Sequence, residues 1–259
     1  MTKSEKLLTL ISYLLNENEE YRNIQIPESE DARFKLYRSL VNVRMPAPVS
    51  EEYLKLESEF LKAETEKKGI VYPESLSFDK NGLCIFQGDI TTIACGAIVN
   101  AANSQLLGCF YPCHSCIDNC IHTYSGIRLR LKCNEIMKLQ NTPEKTGKAK
   151  ITPAYNLPCK YVIHTVGPII NAALTNSDRL LLASCYEECL KLADAYSVKT
   201  IAFCCISTGE FRFPNEEAAQ IAVKTVLGYK EKSNSDIKVI FNVFKDKDRI
   251  IYESLLKQL

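Results

Sequence analysis

Apolar residues recur at helical spacing through the first part of the chain and then give way to short apolar runs. Leu7, Leu8, Ile11, Leu14 and Leu15 place one apolar stripe on a helix over residues 4–17, with Ser4 as its cap. Residues 30–43 carry a second amphipathic pattern, broken at Met45-Pro46-Ala47-Pro48. Ser50-Glu51-Glu52-Tyr53 opens a third, which runs to about Lys68 and ends at Gly69. From about residue 82 the pattern alternates. Apolar runs at 83–86, 97–99, 161–166, 200–206 and 237–244 predict strands, and residues 120–139, 178–196, 216–229 and 247–258 predict helices. Such alternation predicts an α/β domain with helices covering a sheet over residues 76–259, preceded by a helical extension over residues 1–75. The stripes of the extension must be buried against something, so it is expected to pack on the α/β domain rather than trail from it.

Composition adds bounds. With 259 residues, 46% apolar and 24% charged, the chain can bury a sizeable core. A net charge of +1 argues against a protein that binds nucleic acid by neutralising phosphates. No apolar run reaches the roughly 18 residues of a membrane span, and Met1-Thr2-Lys3-Ser4-Glu5-Lys6 lacks the character of a secretory signal. A reducing cytoplasm is therefore expected, with most of the twelve cysteines serving as small core residues.

Four of those cysteines and two of the three histidines crowd into residues 108–122, directly after the turn Val99-Asn100-Ala101-Ala102-Asn103. Cys109-x4-His114-x-Cys116 is compact enough to wrap one metal ion, with Cys113 and Cys120 as spare ligands. Three thiolate and imidazole ligands leave the fourth position of zinc open for chemistry. Asp118 lies near the start of the following helix, whose dipole favours its charged form. His122 fits a structural helix residue, and His164, inside a strand, fits a hydrogen-bonded core histidine. Three polar turns follow strands. Gln87-Gly88-Asp89-Ile90-Thr91 offers a carboxylate to a ligand amino group, and the asparagines at 100 and 103 suit ribose hydroxyls or a water. Ser207-Thr208-Gly209-Glu210-Phe211 offers backbone N–H groups to phosphate. Taken singly, each also fits an ordinary strand-ending turn.

Taken together and in this order, the blocks 87–91, 97–103, 161–168 and 207–211 resemble the macrodomain family, over roughly residues 80–259. The resemblance implies a three-layer α/β/α fold with a mixed sheet that binds ADP-ribose. It implies that Asp89 and Ile90 hold the adenine end, that Asn100 and Asn103 face the distal ribose, and that Ser207, Thr208, Gly209, Glu210 and Phe211 cradle the diphosphate. Where most hydrolytic macrodomains carry a run of glycines, this chain has the cysteine-rich stretch 106–119. That feature resembles the zinc-containing microbial subclass, whose members remove ADP-ribose from modified proteins and are often encoded beside a class M sirtuin and a lipoyl-carrier protein. The resemblance implies one zinc per chain on Cys109, His114 and Cys116, with Asp118 and Asn103 acting on water and ribose. The expected activity is removal of mono-ADP-ribose from protein side chains. A reader that binds ADP-ribose without cleaving it, and a deacetylase of O-acetyl-ADP-ribose, are the alternatives. A closed shell of four protein ligands would instead indicate a structural zinc site.

Overall fold

The first helix, α1 (Lys3–Asn16), is capped by Thr2 rather than Ser4. The Thr2 hydroxyl accepts from the Glu5 N–H at 3.2 Å, and the Glu5 carboxylate accepts from the Thr2 N–H at 2.7 Å. This reciprocal pair satisfies two donors that a helix start otherwise leaves open. Helices α2 (Glu30–Val43) and α3 (Glu51–Lys68) begin at Ser29 and Ser50, whose hydroxyls cap them in the same sense. The computed structural model describes residues 1–259. It continues with strands β1 (Leu83–Gln87) and β2 (Ala97–Ala102), then helices α4 (Ile117–Ser125) and α5 (Ile127–Gln140). Strands β3 (Ala149–Pro153) and β4 (Tyr161–Val166), helix α6 (Asn176–Ala195) and strand β5 (Thr200–Phe203) follow. Helix α7 (Asn215–Ser233), strand β6 (Lys238–Val243) and helix α8 (Asp246–Leu256) complete the chain. No helix is long and apolar enough to cross a membrane.

The six strands form one sheet in the order β1-β6-β5-β2-β4-β3. All neighbours run parallel except β3, which pairs antiparallel with β4 at the edge. Helices α4 and α5 cover one face and α6, α7 and α8 the other, the three-layer α/β/α arrangement with a mixed sheet. Burial on both faces explains why the parallel strands read as nearly continuous apolar runs. On the second face Tyr186 of α6 packs on Phe203 and Tyr252 of α8 on Phe241, each with ring centroids 4.9 Å apart. The three N-terminal helices pack on one another, and α2 and α3 dock onto α4.

Three local expectations need correction. The edge strand β3 was absent from the apolar pattern, because Ala149-Lys150-Ile151-Thr152-Pro153 is short, half polar and ends in proline. The strand expected over 200–206 stops at Phe203. The single helix expected over 120–139 is two, broken at Gly126, which adopts φ +87°. A Cβ there would lie 2.5 Å from Glu57 Oε2, so only glycine admits the carboxylate that caps α5.

Candidate active site

Parallel strands end along one edge of the sheet, and the loops leaving those ends form the crevice where ligands bind in open α/β folds. Strand order then arranges the loops in space. The turn after β1 holds Asp89, the segment after β6 holds Phe244, the loop after β5 holds residues 207–211, and β2 ends beside Asn103. From β1 to β2 is three strand spacings, roughly 14 Å. A sequence-ordered set of turns thus becomes a row, with the 207–211 loop between its two ends.

The β2 end is a buried polar network. Asn100, expected to face a ribose, is fully buried instead. Its Nδ2 donates to Asp118 Oδ1 at 2.7 Å and lies 3.1 Å from His164 Nδ1, which faces it across the β2–β4 register. His164 Nε2 meets the Thr152 hydroxyl at 3.0 Å. The network therefore runs from the edge strand to the first turn of α4 and orients the Asp118 carboxylate. The helix start does not prevail in setting its charge. Burial raises the Asp118 carboxyl to about 6, against the Asn100 hydrogen bond and the charge of Arg130. Burial also holds His164 near 3 and His122 well below the usual histidine range, so both rings are neutral. Gly108, at φ +83°, comes so close to the His122 ring that an added Cβ would sit 2.8 Å from it. Asn103 ties its own turn together, accepting from the Gln105 N–H at 2.9 Å and donating to the Gly108 carbonyl at 3.1 Å.

Next to Asp118, the ligand atoms of Cys109, His114 and Cys116 all lie within 4.8 Å of one another. Cys109 Sγ is 3.8 Å from His114 Nδ1, close to the roughly 3.6 Å that two tetrahedral zinc ligands would show. Burial, reinforced by the neighbouring Cys109, pushes the Cys116 thiol up to about 12. A divalent cation among these groups reverses that penalty, since thiolates bind metal as anions. The spare ligands are turned away. Cys113 Sγ contacts Ser39 Oγ at 3.2 Å and the Lys35 carbonyl at 3.3 Å, and Cys120 Sγ lies 3.5 Å from Arg38. The set is three ligands rather than a closed four, and it fits zinc by its donors. All twelve cysteines are unpaired.

The loop after β5 meets this cluster, with Glu210 Oε1 3.7 Å from His114 Nε2. Ser207 adopts φ +65°, an uncommon and strained state for a residue with a Cβ, and its buried hydroxyl has no partner. Thr208 bonds back to the Cys205 carbonyl, and Arg212 and Phe213 close the turn onto Gly209 and Ser207. The N–H groups of Gly209, Glu210 and Phe211 have no acceptor within the protein, a cradle suited to an anion.

At the β1 end Asp89 caps the turn Ile90–Thr92, and Ile90 is buried beneath it. Its Oδ1 accepts from the Thr91 N–H at 2.9 Å and hydroxyl at 2.6 Å, and its Oδ2 pairs with Lys68 Nζ at 2.7 Å. Lys68 also sits 3.2 Å over the ring of Tyr124. Phe244, 76% exposed, follows β6 beside this turn, where Gln87 Nε2 donates to its carbonyl at 3.3 Å. Sequence reasoning passed over Lys68, which reads as a helix-ending cation, and Phe244, which reads as the last residue of a strand.

Comparison with known proteins identifies the family and the fold. The Macro domain family matches residues 99–222. A protein-ADP-ribose hydrolase of Treponema medium is 52% identical over 99% of this chain and 100% of its own length. One of Staphylococcus aureus is 48% identical over 94% of this chain and 93% of its own. Among solved structures, a macrodomain of Oceanobacillus iheyensis with ADPR is 36% identical, with a TM-score of 0.63, over 68% of this chain and 92% of that one.

Proposed function

The chain belongs to the Macro domain family, and from that premise we propose that it is a zinc-dependent hydrolase that removes mono-ADP-ribose from protein side chains. Its relatives named protein-ADP-ribose hydrolase support the hydrolysis. The observation that carries the rest is the convergence of Cys109, His114 and Cys116 beside the buried Asp118 at the β2 end of the crevice.

In this reading the strand order lays out the ligand. Asp89 and Ile90 receive the adenine, with the exposed Phe244 ring as a stacking surface. The free N–H groups of Gly209, Glu210 and Phe211, with Ser207 and Thr208, hold the diphosphate. The distal ribose then falls at the end of β2, beside Asn103. Cys109, His114 and Cys116 would hold one zinc ion, which supplies Lewis acidity at that end of the crevice.

The bond cleaved joins the ribose anomeric carbon to a side-chain atom of the modified protein. Water adds its oxygen to that carbon as the bond to the side chain breaks; one water proton stays on the new ribose hydroxyl, and the other passes through a base to the departing side chain. Asp118 would orient that water and take its proton. Asn100 and His164 keep the carboxylate aimed, and Asn103 holds the turn under the sugar. The modified protein is the partner. A lipoyl-carrier protein modified by a class M sirtuin is one candidate, and the chain acts on it in the cytoplasm.

A mono-ADP-ribosylated protein incubated with the purified enzyme should lose its label, stop losing it after chelation, and lose it again when zinc is restored. Asp118→Ala should slow turnover roughly 10²-fold or more, while ADP-ribose affinity changes far less. Binding of ADP-ribose by the parent protein without any release of label would leave a reader in place of an enzyme. Full activity after verified removal of the metal would end the zinc reading.

A further inference from the structure

Arg38 belongs to α2, far in sequence from the crevice, yet its guanidinium lies against the metal-ligand loop. Its Nη2 donates to the His114 carbonyl at 2.6 Å and to Asn119 Oδ1 at 2.8 Å, and its Nε reaches the same oxygen at 3.2 Å. Asn119, fully buried, passes the restraint on. Its Nδ2 donates to the Cys109 carbonyl at 3.3 Å and the Tyr111 carbonyl at 3.0 Å, and its backbone N–H points at Cys116 Sγ at 3.4 Å. One guanidinium and one asparagine, through its side chain and its backbone N–H, thus touch all three residues of the ligand cluster. A turn further along α2, Asn42 Oδ1 accepts from the Cys113 N–H at 2.9 Å, where the backbone is left-handed at φ +54°. Ser39 and the Lys35 carbonyl take the Cys113 thiol, so α2 holds the spare thiol out of the cluster.

We propose that α2 is the outer shell of the metal site: Arg38, acting through Asn119, holds Cys109, His114 and Cys116 in their ligating arrangement, while Ser39 and Asn42 exclude Cys113. This rests on the zinc reading above. Groups that orient metal ligands from outside commonly change metal affinity by about 10–100-fold when removed. Arginine suits the task because its planar fork serves two acceptors at once, which a lysine ammonium does not do with fixed geometry. The N-terminal region is then part of the site, and Arg38 is a positioning residue rather than a catalytic one.

The test uses the full chain loaded with zinc and follows transfer of zinc to a chromogenic chelator, alongside zinc affinity by competition. Arg38→Met should release zinc about 10–100-fold faster than the parent. Arg38→Lys should fall between the two and carries the comparison if Arg38→Met does not fold. Cys113→Ser should release zinc at the parent rate. Leu10→Ala, which hollows the small N-terminal core without touching the loop, should lower the melting temperature yet leave release unchanged below it. Release from both Arg38 variants at the parent rate overturns the proposal, as does equal acceleration by Leu10→Ala. A parent protein that takes up no zinc overturns the zinc reading and this proposal with it, so the two failures are told apart by the parent alone.

Discussion

The two apolar cores of this chain differ in what closes them. The core around the sheet contains 45 buried residues drawn from every strand except the edge strand β3. The N-terminal core contains 12, and one of these, Ile127, belongs to α5 on the other side of the seam. None of the 45 comes from residues 1–75, although Phe34 of α2 packs against them, whereas the smaller core is completed by a residue of the domain it rests on. The seam is also chemically different, because it is tied by directional polar links. Glu57 accepts from the Tyr37 hydroxyl at 2.9 Å and the Ile127 N–H at 3.0 Å, and Asn42 donates to Thr123 at 3.0 Å. Arg130 donates to the carbonyls of Val41 and Arg44, at 2.9 and 2.6 Å. Apolar burial holds two bodies together with little regard to angle, while these bonds fix orientation. Such a seam suits an element that positions the crevice at both ends, through Arg38 and Lys68.

The strongest way to break the comparison is to remove residues 1–75. Arg130 would lose the Val41 and Arg44 carbonyls that hold it, and the apolar cover that the segment gives the α/β domain would go with them. The shortened chain should melt roughly 10 °C or more below the parent and lose solubility as Ile127 and Tyr124 are uncovered. Any soluble fraction should still bind free ADP-ribose, measured by calorimetry. An unchanged melting temperature would show that the seam contributes nothing.

Next comes the pH dependence of the seam. Burial raises the Glu57 carboxyl to about 7, against the bonds from Tyr37 and Ile127. The folded state therefore holds its proton more tightly than the unfolded chain, where the group titrates near 4.5. Its contribution is fully present below about pH 4.5, declines as pH rises, and is gone above about pH 7, a change on the order of 3 kcal/mol. Denaturant titrations at pH 5 and pH 8 should show this loss in the parent and little of it in Glu57→Gln. Parallel losses in both proteins would place the pH dependence elsewhere.

The smallest effect is expected where the N-terminal region meets the β1 end. Asp89→Ala should weaken ADP-ribose binding by about 1.5–3 kcal/mol while leaving ribose 5-phosphate binding alone. Lys68→Met, which frees the half-exposed Asp89 without removing it, should cost less than about 1 kcal/mol of affinity. If the two variants lose affinity equally, Lys68 rather than Asp89 sets the geometry of that end.

Much of this was legible in the residues. The apolar stripes predicted all three N-terminal helices, and the alternation predicted five of six strands and the helices between them, apart from the break at Gly126. The turns at 87–91, 99–103 and 207–211 stood out because each follows an apolar run with small and polar residues. The Cys109, His114 and Cys116 spacing was equally visible, since ligands five and two residues apart meet through local chain geometry alone. Arg38, Lys68 and Glu57 carried no such signal, whereas His164 read as the hydrogen-bonded core histidine it is. Each of those three is an ordinary member of its own helix, and its partner lies tens of residues away.

The sequence by itself therefore determined what depends on near neighbours: helix and strand periods, caps, turns and the compact ligand cluster. Only the tertiary structure decided the strand order that sets the turns in a row. It also decided the burial that aims Asn100 at Asp118 instead of outward, and the docking that brings α2 onto the metal loop. These depend on which apolar faces find each other across long stretches of chain, where loop closure costs little more for one pairing than another and packing of the whole core makes the choice.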